Sequence, residues 1–422
     1  DGLARSHGGI GLGAPVSRAP TGVRVALRQP ELDVDGWQRA LSGGGNDDRP
    51  DAGSAPALPL TELVLDVDRL NAYGQTLNAV SLRATRDGEV WDARLAATEA
   101  AGKVRWQQAG EGAVHARFSR LMLGAQTGEA PVSAMSEHIA SLPALDIVAE
   151  RFGLRGLDLG RLELRAYNRA GLWHMNTLAI TLPEGTLSGS GTWRTMAPTR
   201  TDLEFSLKSS DVGVLLGRLG YPDTVNRGEA TLSGKLRWQG APTDLHYPSL
   251  AGTMTLDAAS GQFRQLEPGV GRLLGVLSLQ SLPRRIALDF RDVFSEGFAF
   301  DRISGSIEVD QGVMRTDPLE IRGPAARVLM RGTASVPDET QDLRVTVQPT
   351  LSESVAVGAA AGALNPVVGV VTYLVQKALA DPLEKLLSFE YAVTGPWNAP
   401  KVEKLGKTAP AAPPAEPAKQ GQ

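Results

Sequence analysis

The sequence predicts a mostly β protein: an elongated, curved, mainly antiparallel β-sheet forming a hydrophobic groove, with short capping α-helices and a C-terminal helical segment. Three observations predict it. Short runs alternate apolar with polar residues, as where Leu343, Val345 and Val347 sit between Arg344, Thr346 and Gln348, the period of a strand with one wet face. Turn-forming residues interrupt these runs about every ten positions, in a chain with 47 Gly and 27 Pro among 422 residues. Aromatic residues make up only 5%, which undersupplies a two-layer sandwich whose facing side chains must interlock.

The elements follow in order. Residues 1–57 form an N-terminal fragment and a flexible loop. Val23, Val25 and Leu27 alternate with Arg24, Ala26 and Arg28 as a strand, and a short helix capped near Asp35 carries Trp37 and Leu41. Gly, Asp and Pro fill Ser42 to Ala57, so that stretch is predicted as loop. Residues 58–354 form a repeated β-groove. Its strands include Ile286, Leu288 and Phe290, then Phe298 and Phe300, then Ile303, Ile307 and Val309, and then the Leu343 series. Three short helices punctuate them, near Leu142–Phe152, after Asp211, and from about Pro268 to Leu279. The second carries Leu215, Leu216 and Leu219 on one face and stops at Gly220 before Pro222.

Residues 355–388 form C-terminal short helices. Val355 to Val375 carries no charge, a length that spans a bilayer. Yet it holds five Ala and three Gly, and Asn365-Pro366 breaks it. Two short hinged helices fit better than one transmembrane span. A further helix starts with Asp381 as N-cap, Pro382 at its first position and Glu384 at its third. Residues 389–402 form the final strand, with Phe389, Tyr391 and Val393 on one face, and 403–422 a disordered Pro/Ala-rich tail.

An internal repeat supports a quasi-one-dimensional sheet. Leu82-Arg83-Ala84 with Trp91 recurs 82 residues later as Leu164-Arg165-Ala166 with Trp173. Trp106, Trp193 and Trp238 close runs of similar small residues.

The chemistry of catalysis is missing. The net charge of −4 lacks the basic excess of a nucleic-acid binder. With no cysteine there is neither a disulfide scaffold nor a thiolate metal site. The histidines His7, His115, His138, His174 and His246 have no helical zinc spacing. Gly9-Ile10-Gly11-Leu12-Gly13 resembles a phosphate loop only superficially and is predicted as coil, since no strand precedes it and no helix follows. Asp33-Val34-Asp35-Gly36 lacks the other acidic positions of a calcium loop. Asp289, Asp292, Glu296 and Asp301 are assigned to the solvent face and turn of two strands rather than to acid/base work. No catalytic residue, metal ligand or cofactor is predicted. The chain starts at Asp1 without Met or an apolar leader, and is expected to be a piece of a longer protein with its export or anchoring segment upstream.

Asp292 to Asp301 (Asp-Val-Phe-Ser-Glu-Gly-Phe-Ala-Phe-Asp), followed by Ile303-Ser304-Gly305, resembles the C-terminal signature of the YhdP branch of AsmA-like proteins. So do Leu319 to Ala326, Met330-Arg331-Gly332, Asn365 to Gly369 and Tyr391 to Trp397, in the same order. The resemblance covers about residues 60–402. It implies a periplasmic part of an inner-membrane-anchored protein of the Gram-negative envelope, whose greasy β-groove moves phospholipid toward the outer membrane and supports barrier integrity. The implied partners are phospholipid acyl chains, the outer membrane at the C-terminal end, and the inner membrane through an upstream anchor. The alternative is a non-enzymatic periplasmic scaffold or assembly factor for outer-membrane components.

The groove lining is expected at Ile286, Leu288, Phe290, Phe298, Phe300, Ile303, Ile307, Val309, Leu343, Val345, Val347, Phe389, Tyr391 and Val393. The membrane-end helices are expected to present Leu364, Pro366, Val367, Val371, Tyr373, Leu374, Leu379, Leu383 and Leu386. An acyl chain of about sixteen carbons would gain on the order of 10 kcal/mol in such a groove. That offsets leaving the bilayer without creating a trap.

Overall fold

A computed structural model describes residues 7–16, 21–34, 36, 60–72, 75–110, 112–124, 143–264, 298–350 and 388–407. The chain divides into two compact units, one of Asp1–Leu207 with Arg237–Leu245, the other of Lys208–Leu236 with His246–Gln422.

The first unit is a sheet of strands laid side by side in chain order. They are β1 (His7–Leu12), β2 (Gly22–Asp33), β3 (Leu60–Ala72), β4 (Gln75–Asp87), β5 (Val90–Ala96), β6 (Ala100–Gln107), β7 (Ala113–Leu123), β8 (Ala144–Leu154), β9 (Leu157–Arg169), β10 (Leu172–Leu182), β11 (Gly185–Arg194) and most of β12 (Arg200–Ser209). Consecutive strands from β3 to β7 and from β8 to β11 pair antiparallel. β12 lies beside β11, where the Ser188 hydroxyl donates to the Ser206 carbonyl. Three pairs, β1–β2, β2–β3 and β7–β8, are parallel. A two-residue turn forces the chain back antiparallel, whereas a parallel neighbour needs a crossover. The parallel pairs occur only where longer connections intervene.

The tight hairpins have a common chemistry. Arg155-Gly156 joins β8 to β9 and Ala170-Gly171 joins β9 to β10, with φ of 51° and 84°, then 52° and 76°. Two consecutive positive φ values make the primed turn whose twist matches that of paired strands, and Gly supplies the second at little cost.

Among the described residues the second unit contains one helix, α1 (Val212–Arg218), most of β13 (Val225–Gln239), a 3-10 turn at Tyr247–Ser249, and seven further strands. These are β14 (Ala251–Phe263), β15 (Phe298–Asp310), β16 (Val313–Arg322), β17 (Ala326–Ser335), β18 (Thr340–Pro349), β19 (Phe389–Pro396) and β20 (Lys401–Lys407). From β14 to β20 every consecutive pair is antiparallel. Gln311-Gly312, with φ of 50° and 76°, turns β15 into β16 in the same primed geometry. The apolar core of this unit runs from Val225 and Ala258 through Ile321, Val328 and Val345 to Tyr391 and Val393. The first unit has two smaller clusters, one around Val67 and Val80, the other around Ala149, Phe152 and Leu162.

The fold is mostly β and mainly antiparallel, as expected. The helix after Asp211 forms, with the Asp211 carboxylate accepting from the Val214 N–H at 3.1 Å and Gly220 at φ 93° beyond its end. Leu215 is its buried residue.

Three expectations are corrected. Leu142–Phe152 was expected to be helical, but Ala144–Leu154 is strand β8. Its flanking strands β7 and β9 take up its backbone groups, and Leu145, Ile147 and Ala149 fall into sheet rows. The glycine-rich stretch at 9–13, expected to be coil, contributes to β1 and pairs parallel with β2. The last strand, β20, runs to Lys407, inside the stretch assigned to the disordered tail. The helices expected near Asp35, at 268–279 and within 355–388, and the loop at 42–57, lie outside the described residues, apart from isolated positions at 34, 36 and 388.

Candidate functional site

The residue pairing of the first unit builds two unbroken apolar rows across nine strands. One runs Leu63, Ala84, Ala93, Val104, Ala116, Ile147, Leu164, Leu178, Gly189, each opposite the next. The other runs Leu65, Leu82, Leu95, Gly102, Phe118, Ala149, Leu162, Ile180, Leu187. At ~4.8 Å per strand each row is about 40 Å long. They run across the strands, so chain direction does not interrupt them.

Small residues are interspersed among large ones in both rows, Ala84, Ala93, Ala116 and Gly189 in the first and Gly102 and Ala149 in the second, which leaves low points over the backbone. A Cβ on Gly102 would fall 2.7 Å from the Phe118 ring, so that ring leans into the space the glycine leaves. Most of the row residues are half-buried, Ile147, Leu164, Leu178 and Ile180 among them. Apolar side chains held in rows and still partly open are a surface suited to an aliphatic guest.

In the second unit the apolar face is filled. Ala258, Ile303, Ile321, Val328, Val347 and Phe389 form one row, and Leu319, Met330, Val345 and Tyr391 another. Ile321 and Val328 are 0% exposed, Tyr391 1% and Val345 2%. Phe300 reaches over Gly261, where a Cβ would come within 2.4 Å of its ring, and its ring centre lies 5.2 Å from that of Phe263. Val212 and Leu216 of α1 pack against the cluster. An opening of about 70 Å³ remains between Ile307, Leu319, Met330 and Leu343.

The structure therefore divides the expected groove residues. Phe298, Phe300, Ile303, Leu343, Val345, Val347, Tyr391 and Val393 are brought together in one buried core, with Phe389 half-buried against it, while Val309 is buried outside that cluster. Ile307 is half-buried beside the small opening. Ile286, Leu288 and Phe290 lie outside the described residues, as do all nine expected membrane-end positions from Leu364 to Leu386. Of the four carboxylates weighed as a catalytic cluster, Asp301 is exposed on β15 and the other three lie outside the described residues.

Sequence reasoning missed the open rows of the first unit. Their signal was present as alternation in Leu162-Leu164 and Leu178-Ile180, but the small residues on the earlier strands, Ala84, Ala93 and Ala116, carry little hydropathy contrast. Only the pairing across strands joins them.

The opposite face of the first unit is charged. Arg105 donates to Asp92 through two bonds of 2.8 and 3.0 Å, and this pairing holds the Asp92 carboxyl below its ordinary range. Arg117 donates to Asp146 at 3.0 Å, with His115 3.4 Å from the same oxygen. The Arg117 bond is the main cause holding Asp146 low, against a smaller opposing effect of burial. Among the described residues no group of three or more His, Asp or Glu is placed to hold a metal ion, and no helix is long and apolar enough to cross a membrane.

Comparison with known proteins bears on this arrangement. The YhdP protein family matches residues 1–402. The chain is similar to the intermembrane phospholipid transporter YhdP of Escherichia coli (strain K12), 28% identical over 221 residues. That alignment takes in 52% of this chain and 17% of the relative's length. No solved structure matches the chain.

Proposed function

The chain belongs to the YhdP family, and from that premise we propose that it forms part of a periplasmic conduit carrying phospholipid between the inner and outer membranes, in support of outer-membrane barrier integrity. The observation that carries this reading is the pair of half-open apolar rows crossing β3 to β11. They supply continuous aliphatic contact about 40 Å long. Every residue along them is apolar, so none offers a charged partner to a headgroup. The relative's role as an intermembrane phospholipid transporter supports a lipid cargo. No catalytic role is proposed. Acyl chains lie along the rows, the inner membrane is reached through an anchor elsewhere in the parent protein, and the segment at 355–388 meets the outer membrane.

The test is a photo-crosslinking amino acid placed at Leu164 or at Arg165 in cells. Leu164 lies in the first apolar row, and Arg165 projects from the other face opposite Asp146. Phospholipid adducts are expected at 164 and not at 165. Equal labelling at both positions, or none at either, refutes the conduit.

A second reading has its own observation. The filled core of the second unit suits a rigid scaffold or assembly element for outer-membrane components, with no lipid inside it. The two readings are compatible if lipid occupies the first unit alone.

A further inference from the structure

We propose that the polar face of β4 to β7 holds a binding site for a phosphate-bearing anion, in the cavity lined by Arg83, Arg94 and Lys103. The proposal does not depend on the lipid conduit, because these side chains project from the face opposite the apolar rows. Each precedes or follows a row residue by one position: Arg83 beside Ala84, Arg94 beside Ala93, Lys103 beside Val104.

The cavity has a volume of about 710 Å³. The register sets Arg83, Arg94, Lys103 and Arg117 directly opposite one another on four consecutive strands. Like charges in that position repel and destabilise a sheet. The nearby acids do not relieve it. Glu62 is engaged by Arg24, Asp92 by Arg105, and Asp146 by Arg117. Subtracting these pairs leaves Arg83, Arg94 and Lys103, which among the described residues have no carboxylate partner. A concave wall lined with one sign of charge focuses the field and concentrates anions.

The spacing selects the ligand class. Cross-strand neighbours stand ~5 Å apart, so the three cations span about 10 Å. A single carboxylate reaches two of them at most. Two linked or adjacent phosphate groups reach all three, and the arginine forks match phosphate oxygens in paired hydrogen bonds. The ligand is a diphosphate or a pair of neighbouring phosphates, either free in solution or on a lipid headgroup.

The probe is inorganic diphosphate titrated calorimetrically into the full chain, beside flotation with vesicles of phosphatidylglycerol or of phosphatidylcholine. Each of Arg83→Gln, Arg94→Gln and Lys103→Gln is expected to weaken diphosphate binding roughly fivefold. Arg94→Lys should retain most of it. The triple Gln variant should abolish binding while its thermal midpoint stays level or rises, since the repulsion has been removed. Vesicle binding that follows the same variants, and requires the anionic lipid, assigns the phosphates to a headgroup; diphosphate binding without it assigns them to a soluble molecule. Absence of diphosphate binding, or equal binding by the triple variant, overturns the site. So does a triple variant whose midpoint falls, because the row would then be structural.

Discussion

Adjacent residues on one strand of this protein do opposite work, and Ile321 beside Glu320 on β16 shows how. Ile321 is fully buried between Ile303 and Val328 on the neighbouring strands. Ile321→Ala should cost about 2–4 kcal/mol in chemical denaturation, the removed methylenes plus the cavity left behind. Glu320 faces the other way and accepts from Arg322 at 2.7 Å and from Arg327 at 2.5 Å. Arg322 chiefly, and Arg327 after it, hold its carboxyl below the ordinary 4.5, against a partial opposing effect of burial. A lowered carboxyl stabilises the fold above the unfolded value and loses that contribution as pH falls through the folded one. Glu320→Gln should therefore cost about 1 kcal/mol at neutral pH, and the difference from wild type should vanish in acid well below pH 4.5. Stability curves at the two pH values check it, and a difference independent of pH would mean the ion pairs are idle.

At the scale of elements, what was legible depended on local signals. Strand alternation located β15, β18 and β19, because each has one dry face and one wet face. The Asp211 cap and the Gly220-x-Pro222 stop located α1, because capping and φ restriction act within a few residues. A seven-residue helix is unstable alone, so α1 persists through Val212, Leu215 and Leu216 packed on the sheet. Asp211→Ala should cost about 1 kcal/mol. Hydrogen exchange should quicken at Val214 and Leu215 while the amides of β16 stay protected; unchanged exchange at Val214 would show that the cap does not hold the helix. β8 was misread for the converse reason. Leu145, Val148, Ala149 and Phe152 satisfy a helical spacing as well as an extended one, and the strands that decide between them, β7 and β9, are neighbours in space.

At the scale of the whole molecule, one alternating pattern serves two ends. The expected groove residues were drawn entirely from 286 onward, and those that are described lie mostly in a filled core. The open rows lie in the other unit. A photo-crosslinker at Val345 should consequently give no phospholipid adduct in a chain that is labelled through Leu164. Adducts at both would show that the second face also opens to lipid, and would extend the conduit into that unit.

The amino-acid order by itself determined that this is a strand-built member of a recognisable family, with antiparallel hairpins and a capped helix after Asp211. These properties arise from alternation, turn stereochemistry and composition, which are local to the chain. Tertiary structure alone decided which apolar face is packed shut and which stays open, where strands run parallel, and that Arg83, Arg94 and Lys103 stand in one row. Burial and charge proximity depend on what lies across the sheet, and strands distant in sequence carry no mark of their register until the backbone hydrogen bonds form.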